Sequence, residues 1–371
     1  MNQTMTPFKL GHAANSDWQQ AANQVIDQLG TTAGCNLAFV YVTDSFSNEL
    51  GKLLRYLKEQ TGIDHWIGSI GHAICCTNQE YYDQAALAVL ACQFPEQSFS
   101  VFSQAEDLQQ VPAGDNTDFT LQFAVVHGDP RNGSLPQLID RLPEQLGNGY
   151  LVGGLTSSEN HYFQIADDIT EGSLSGVVFH DIPVITGLSQ GCTPITEPHQ
   201  LTECDNHMAI SIDGRPALDV FKEDIGEVLA RDIDRAAGYI FAGFPVQGSD
   251  TGDYLVRNVI GFDPDSGMLA IGEHMKPDTP IMFCRRDGKS AVEDMQRMLK
   301  DVQKRLGKGQ PRGGLYISCM GRGRHLFGEN TEELKMISEV FGDIPLVGFY
   351  ANGEIAGQQL YGYTGVLTLF L

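Results

Sequence analysis

The stretch GGLYISCMGRGRHLFG, residues 313–328, decides how the chain is read. An apolar run, Leu315–Ile317, enters Ser318 and Cys319. The chain then turns through Gly321 and Gly323, with Arg322, Arg324 and His325 crowded beside them. This is the pattern of a buried strand running into a glycine turn. Downstream, Leu334, Ile337, Val340 and Phe341 recur at helical spacing. IPLVGFYANGEIAG (344–357) and GVLTLFL (365–371) follow, reading as two more strands.

The same order occurs twice upstream. AFVYVTD (38–44) precedes Leu50, Leu53, Leu54 and Leu57, one face of a helix, then WIGSIGHAICC (66–76) and ALAVLACQF (86–94). QFAVVHGD (122–129) precedes Leu135, Leu138, Ile139 and Leu142, with Pro143 and Gly147 near the helix end. YLVGGLTSS (150–158) and SGVVFHD (175–181) complete that copy. Phe39 to Gly68, Phe123 to Gly153 and Leu315 to Gly348 each span about 30 residues, the length of a strand–helix–strand crossover. The expected fold is α/β: two domains built from repeated strand–helix–strand–strand units with mixed sheets. A further helix is expected at about 290–306. Ser290 and Glu293 read as its capping box, Val292, Met295, Leu299, Val302 and Leu306 as its stripe, and Gly307 as its stop. TPITEPHQLTECDNH (193–207) is polar and holds two prolines, so the domain boundary is expected there, dividing 1–195 from 196–371.

Composition bounds the function. The 371 residues carry a net charge of −23, which disfavours nucleic acid and anionic membrane surfaces. No segment is apolar enough to span a bilayer, and the N-terminal stretch lacks the basic and apolar regions of a secretory leader. The eight cysteines form no C-x-x-C pair. A reducing, cytoplasmic location is expected.

In α/β folds ligands collect beyond the carboxyl ends of strands. His127 and Asp129, Ser157 and Ser158, Arg285 and Arg286, Cys319 and Arg322, and Asn352 and Glu354 stand at such ends. Glycines at 321 and 323 would let the backbone approach a ligand, and arginine offers a planar fork for a carboxylate. One arrangement is a ligand pocket in which Arg286 and Arg322 hold an anionic group, Cys319 lines the wall, and Asn352 and Glu354 face an amino group. The other is a glycine turn whose arginines pair with the protein's own carboxylates. Cys319 with His325 as base is the alternative of a thiol enzyme. No nucleophile–base–orienter set can be assembled, so binding without turnover is expected. His199, Glu203, Cys204 and His207 have the residue types of a metal site, although no H-E-x-x-H occurs and the prolines and polarity around them read as a linker. His127 reads either as a heme-ligating imidazole or as a strand-end histidine bonded to Asp129.

LYISCMGRGRHLFG, IPLVGFYANGEIAG and LYGYTGVLTLF, with SIDGRPALDV and FCRRDGKSAVEDM upstream, resemble a FIST C-terminal domain. YLVGGLTSS, LSGVVF and LSQGCTPI resemble the end of a FIST N-terminal domain. The resemblance implies FIST N-like residues 1–195 and a FIST C-like, ligand-binding 196–371. It also implies an intracellular sensor of a small ligand, amino acids having been proposed. Some free-standing members resemble nitric-oxide-sensing heme proteins that regulate histidine kinases or cyclic-di-GMP enzymes. Heme and such a partner are therefore the alternative expectation, with a homodimer as one expected assembly. Carrying no kinase, cyclase or receptor segment, the chain is expected to signal in trans.

Overall fold

The computed structural model describes residues 8–105, 111, 122–147, 149–231, 233–236, 238–246 and 252–371. They fall into two compact units, one of residues up to Ser189 together with Met295–Leu371, the other of Gln190–Asp294. The first unit therefore draws on both sides of the 195/196 division expected from the sequence.

That unit contains all three repeats. The first is β1 (Lys9–Ala14), α1 (Trp18–Leu29), β2 (Leu37–Thr43), α2 (Leu50–Thr61), β3 (His65–Gly71), the hairpin β4 (Ile74–Cys76) and β5 (Gln79–Tyr81), and β6 (Ala86–Cys92). The second is β7 (Phe99–Ala105), β8 (Gln122–Gly128), α3 (Leu135–Gln145), β9 (Tyr150–Leu155), the hairpin β10 (Gln164–Ala166) and β11 (Asp168–Thr170), and β12 (Leu174–His180). The third opens with β13 (Val184–Gln190), is interrupted by the second unit, and resumes in α5 (Gly288–Leu306).

The interruption carries β14 (Cys192–Pro194), β15 (His199–Asp205), β16 (Met208–Ile212), β17 (Arg215–Pro216) and α4 (Ala217–Ala230). It continues with β18 (Ile240–Pro245), β19 (Tyr254–Asp263), β20 (Met268–Ile271) and β21 (Thr279–Arg286). The third repeat ends with β22 (Gly313–Cys319), α6 (Arg324–Phe327), α7 (Glu332–Phe341), β23 (Leu346–Ala351), the hairpin β24 (Glu354–Ala356) and β25 (Gln359–Tyr361), and β26 (Thr364–Phe370).

Among the described residues the first unit forms three six-stranded sheets, ordered β1-β6-β2-β3-β10-β11, β7-β12-β8-β9-β24-β25 and β13-β26-β22-β23-β4-β5. Each is built on one parallel pair, β2–β3, β8–β9 or β22–β23, as the crossover spacing predicted. Each also ends in a hairpin donated by another repeat: the second to the first, the third to the second, the first to the third. The exchange closes a ring.

The recurring glycine is set by each repeat's own parallel pair, where Val40, Val126 and Tyr316 are its register partners. Gly68, Gly153 and Gly348 are the positions where the borrowed hairpin pairs with β3, β9 and β23. A Cβ there would lie 1.7 Å from the Val40 oxygen, 1.8 Å from that of Val126 and 1.6 Å from that of Tyr316. No side chain can occupy that space. The helices cover the outer sheet faces, as where Leu50, Leu53, Leu54 and Leu57 meet Val40, Val42 and Trp66. The inner faces share one core, in which Phe39, Phe179 and Phe370, one from each sheet, meet with ring centroids 5.8–6.5 Å apart.

The second unit is an antiparallel barrel. Pairing runs β21-β15-β16-β20-β19-β18 and returns from β18 to β21. Its interior is filled by residues such as Leu201, Ile212, Phe244, Leu269 and Phe283, with Leu218 and Phe221 of α4. The stretch 193–207, expected as a linker, is therefore folded: it supplies β14 and β15. The start of α5 also differs, since Asp287 caps it, accepting from Lys289 N at 3.1 Å and from Ser290 Oγ at 2.9 Å. Among the described residues no helix is long and apolar enough to cross a membrane.

Candidate functional site

The hairpin exchange brings chemically distinct groups to three equivalent junctions, where a hairpin packs on the last strand of its own repeat: β4–β5 on β6, β10–β11 on β12, and β24–β25 on β26. Ile74, Gln164 and Glu354 head the three hairpins and pair with Phe349, Ser69 and Gly154. The first position is apolar, the second an amide, the third an acid.

The third junction holds three of the residues expected at a ligand site. Glu354 is fully buried, and its Oε2 accepts from Thr364 N at 3.0 Å and Thr364 Oγ1 at 2.8 Å. Oε1 has no hydrogen-bond partner. Burial raises its pKa to about 8, against the pull of the Thr364 donors, the Arg322 charge and the Cys319 thiol. Glu354 is therefore mostly a neutral acid at pH 7. Cys319 ends β22 half-buried beside it. Burial and the Glu354 charge push its thiol well up, outweighing the Gly321 and Tyr363 N–H groups and Arg322. Tyr363 takes a left-handed φ of 63°, uncommon for an aromatic residue. Its ring would lie 3.3 Å from a Cβ at Gly321, a tight contact where the two turns meet. Asn352 is exposed at the rim, its N–H donating to Leu155 O at 3.0 Å. A perturbed acid beside a thiol and a strained turn makes this junction the candidate site.

Arg322 does not face that junction. It is fully buried, its Nε and Nη2 each 2.7 Å from Glu333 Oε1, and it also donates to the oxygens of Ser189. Glu333, equally buried, also accepts from Tyr316 Oη at 2.5 Å, Ser318 Oγ at 3.3 Å and Gly323 N at 3.1 Å. Phe327 lies under the guanidinium, 5.0 Å from its ring centroid. This is the salt-bridged glycine turn, the second of the two arrangements read from the sequence. Arg286 ends β21, in the other compact unit. His325 packs its ring against Tyr82, 6.0 Å between centroids.

His127 is fully buried on the inner face, with Nε2 3.1 Å from Tyr41 Oη. Burial lowers its pKa to about 3, so the imidazole is neutral. The rings of Tyr41 and Phe349 lie 5.6 and 5.8 Å from its centroid. A porphyrin needs an open slot beside the ligating nitrogen. These side chains do not fit a heme: Nε2 faces the Tyr41 phenol, and although Nδ1 has no hydrogen-bond partner, the rings of Tyr41 and Phe349 pack too close to the imidazole for a porphyrin plane. Nor do His199, Glu203, Cys204 and His207 converge. His199 sits between Asp213, 2.7 Å from Nδ1, and Asp224, 3.0 Å from Nε2. His207 Nδ1 is 2.9 Å from the Glu273 carbonyl oxygen. Among the described residues no group of three or more metal-ligating side chains is assembled.

Known families resolve the origin of this architecture. The FIST N domain matches residues 36–215 and the FIST C domain residues 217–357. The chain is a tandem FIST protein. An uncharacterized protein of Mycobacterium tuberculosis is 30% identical over 323 residues, covering 82% of this chain and 83% of the relative. An uncharacterized protein of Mycobacterium bovis is 28% identical over 371 residues, covering 95% and 94%. FIST domains are associated with small-ligand sensing in signalling. In this FIST protein the N-domain match runs into the barrel, and the C-domain match covers most of the barrel and much of the third repeat. Thr364 and Glu333, which decide what Glu354 and Arg322 face, carry no local sequence signal. The spacing Gly68–Ile74 and Gly348–Glu354, six residues each, does mark Glu354 as a hairpin head.

Proposed function

We propose that this protein is a sensor that binds a small amine-bearing ligand at the Glu354–Cys319 junction and relays occupancy to signalling partners in trans. The observation that carries the reading is Glu354 Oε1, which has no hydrogen-bond partner of normal geometry on a buried carboxyl held by Thr364 at its other oxygen and approached by the Cys319 thiol. A buried carboxyl with one unmet oxygen is costly unless something hydrogen-bonds it. An ammonium group supplies both the donor and the charge that favours the ionised acid. The carboxylate-binding half of an amino-acid site has no support, because Arg322 is engaged by Glu333. Binding without turnover fits a thiol whose pKa is raised and whose expected base, His325, packs against Tyr82 instead. Eight free cysteines fit a reducing, cytoplasmic compartment.

The test is a thermal-shift screen of primary amines and amino acids on the full chain, followed by calorimetry of each hit on wild type and Glu354→Gln. Saturable binding that falls at least tenfold in the variant supports the reading. Hits that bind Glu354→Gln equally well refute it.

A further inference from the structure

The second junction points to a different ligand. Sheet register aligns Tyr41, Ser69, Gln164 and Thr170 in one row across β2, β3, β10 and β11. Ile165 and Ile169 of this hairpin pack in the core with α1 and α2, so Gln164 and Thr170 lie on the opposite, inner face. A matching row crosses the neighbouring sheet: Ser175 pairs with His127, and His127 with Gly154. Leu174 and Val178 pack in the core with α3, which puts Ser175 on the inner face as well. The rows meet where Tyr41 bonds His127, and where Thr156 Oγ1 bonds Ser69 Oγ at 2.9 Å and Gln164 Nε2 at 3.1 Å. The backbone ties the same corner, Thr156 N donating to Gly128 O and Asp129 N to Ser173 O.

Around this corner Gln164 Oε1, Thr170 Oγ1, Ser173 Oγ, Ser175 Oγ and His127 Nδ1 have no hydrogen-bond partner, on residues at most 4% exposed. Folded proteins leave few buried polar atoms unmet, so five around the corner where these two sheets meet require an explanation. The equivalent positions in the first junction include Ile74 and Ala88, which need no partner. The pattern therefore belongs to this junction and not to the fold.

We propose that the second junction is a binding site for a small uncharged polyol. Three hydroxyls that both donate and accept, one amide oxygen and one imidazole nitrogen complement a molecule whose hydroxyls do the same. None of the five groups is charged. The carboxylate of Asp129, two residues beyond His127, is taken by Arg131 and by Gly172 N. Neighbouring strands stand about 5 Å apart and alternate residues of one strand roughly 7 Å apart, the span of a three- or four-carbon polyol. The site shares no side chain with the Glu354 junction.

The probe is glycerol, titrated into full-length protein with 15N-labelled histidines, with propan-1-ol as the control of equal carbon count. The expected result is a saturable shift of the His127 ring nitrogens with glycerol and none with propan-1-ol. Ser175→Ala and Thr170→Val should each weaken glycerol by about five- to tenfold, one neutral hydrogen bond. Their melting temperatures without glycerol should stay at the wild-type value, because neither hydroxyl bonds the protein. A shift that never saturates, or one unchanged in both variants, overturns the site. Two destabilised variants with wild-type glycerol response would also overturn it, by assigning these hydroxyls to the fold.

Discussion

Replacing Arg322 with alanine removes the counter-charge of a carboxylate that has no access to water. Glu333 would keep donors from Tyr316, Ser318 and Gly323 but would lose the guanidinium at 2.7 Å, and Ser189 would lose two donors. Breaking a buried pair from one side costs roughly 3–5 kcal/mol. At about 2–4 °C per kcal/mol for a large domain, the melting temperature should fall by roughly 6–20 °C. Arg322→Met combined with Glu333→Leu removes both charges and should recover part of that loss. Thermal unfolding followed by near-ultraviolet circular dichroism measures all three proteins. A single variant that melts within about 2 °C of wild type, less than 1 kcal/mol, would refute the structural assignment and return Arg322 to the ligand.

Three further outcomes follow from the geometry. Gly153→Ala should prevent folding or strongly destabilise the chain, because its Cβ would sit 1.8 Å from the Val126 carbonyl oxygen on β8; a soluble variant with wild-type melting would contradict the parallel β8–β9 register. Burial pulls His199 down, but hydrogen bonds and charges from Asp213 and Asp224 outweigh it and leave its pKa above 6.5. Its stabilisation is complete below that value and is lost as pH rises through the folded pKa, so unfolding monitored against pH should show a decline that His199→Gln abolishes. Cys319 should react with a thiol reagent at pH 7 more slowly than a free thiol, because burial favours its protonated form; fast labelling confined to Cys319 would revive the thiol-enzyme alternative.

The repeats were legible because the glycine that no side chain can replace recurs with the same crossover behind it. Strand 38–44, the Leu50 helix and strand 86–94 match β2, α2 and β6 within a residue or two at most boundaries, the helix running on to Thr61. The hairpin exchange was not legible: nothing in ICC or QIA says which sheet they join, since short apolar strands pair wherever an edge is offered. Equally hidden was the barrel. In β15 Leu201 alone is fully buried, so the strand reads as polar linker. That Cys319 and Glu354 lie together was legible because both stand at strand ends, where the ring brings them side by side. Arg322 was misplaced because its partner, Glu333, lies on the next helix with nothing in the local sequence to announce it, and Arg286 because the inserted unit intervenes. Gln164 and Ser175 carry no local sequence signal because their meaning depends on register across two sheets.

The central claim is that an amine meets Glu354, and proton release tests it most directly. With a pKa of about 8, Glu354 carries its proton at pH 7 and must lose it to pair with an ammonium. Calorimetry of an amine hit at pH 7, in two buffers of different ionisation enthalpy, should report release of close to one proton. Affinity should rise about tenfold between pH 7 and 9, the factor set by a group one unit above the starting pH. Glu354→Gln should abolish both effects. Binding with no proton release and no pH dependence would contradict the account.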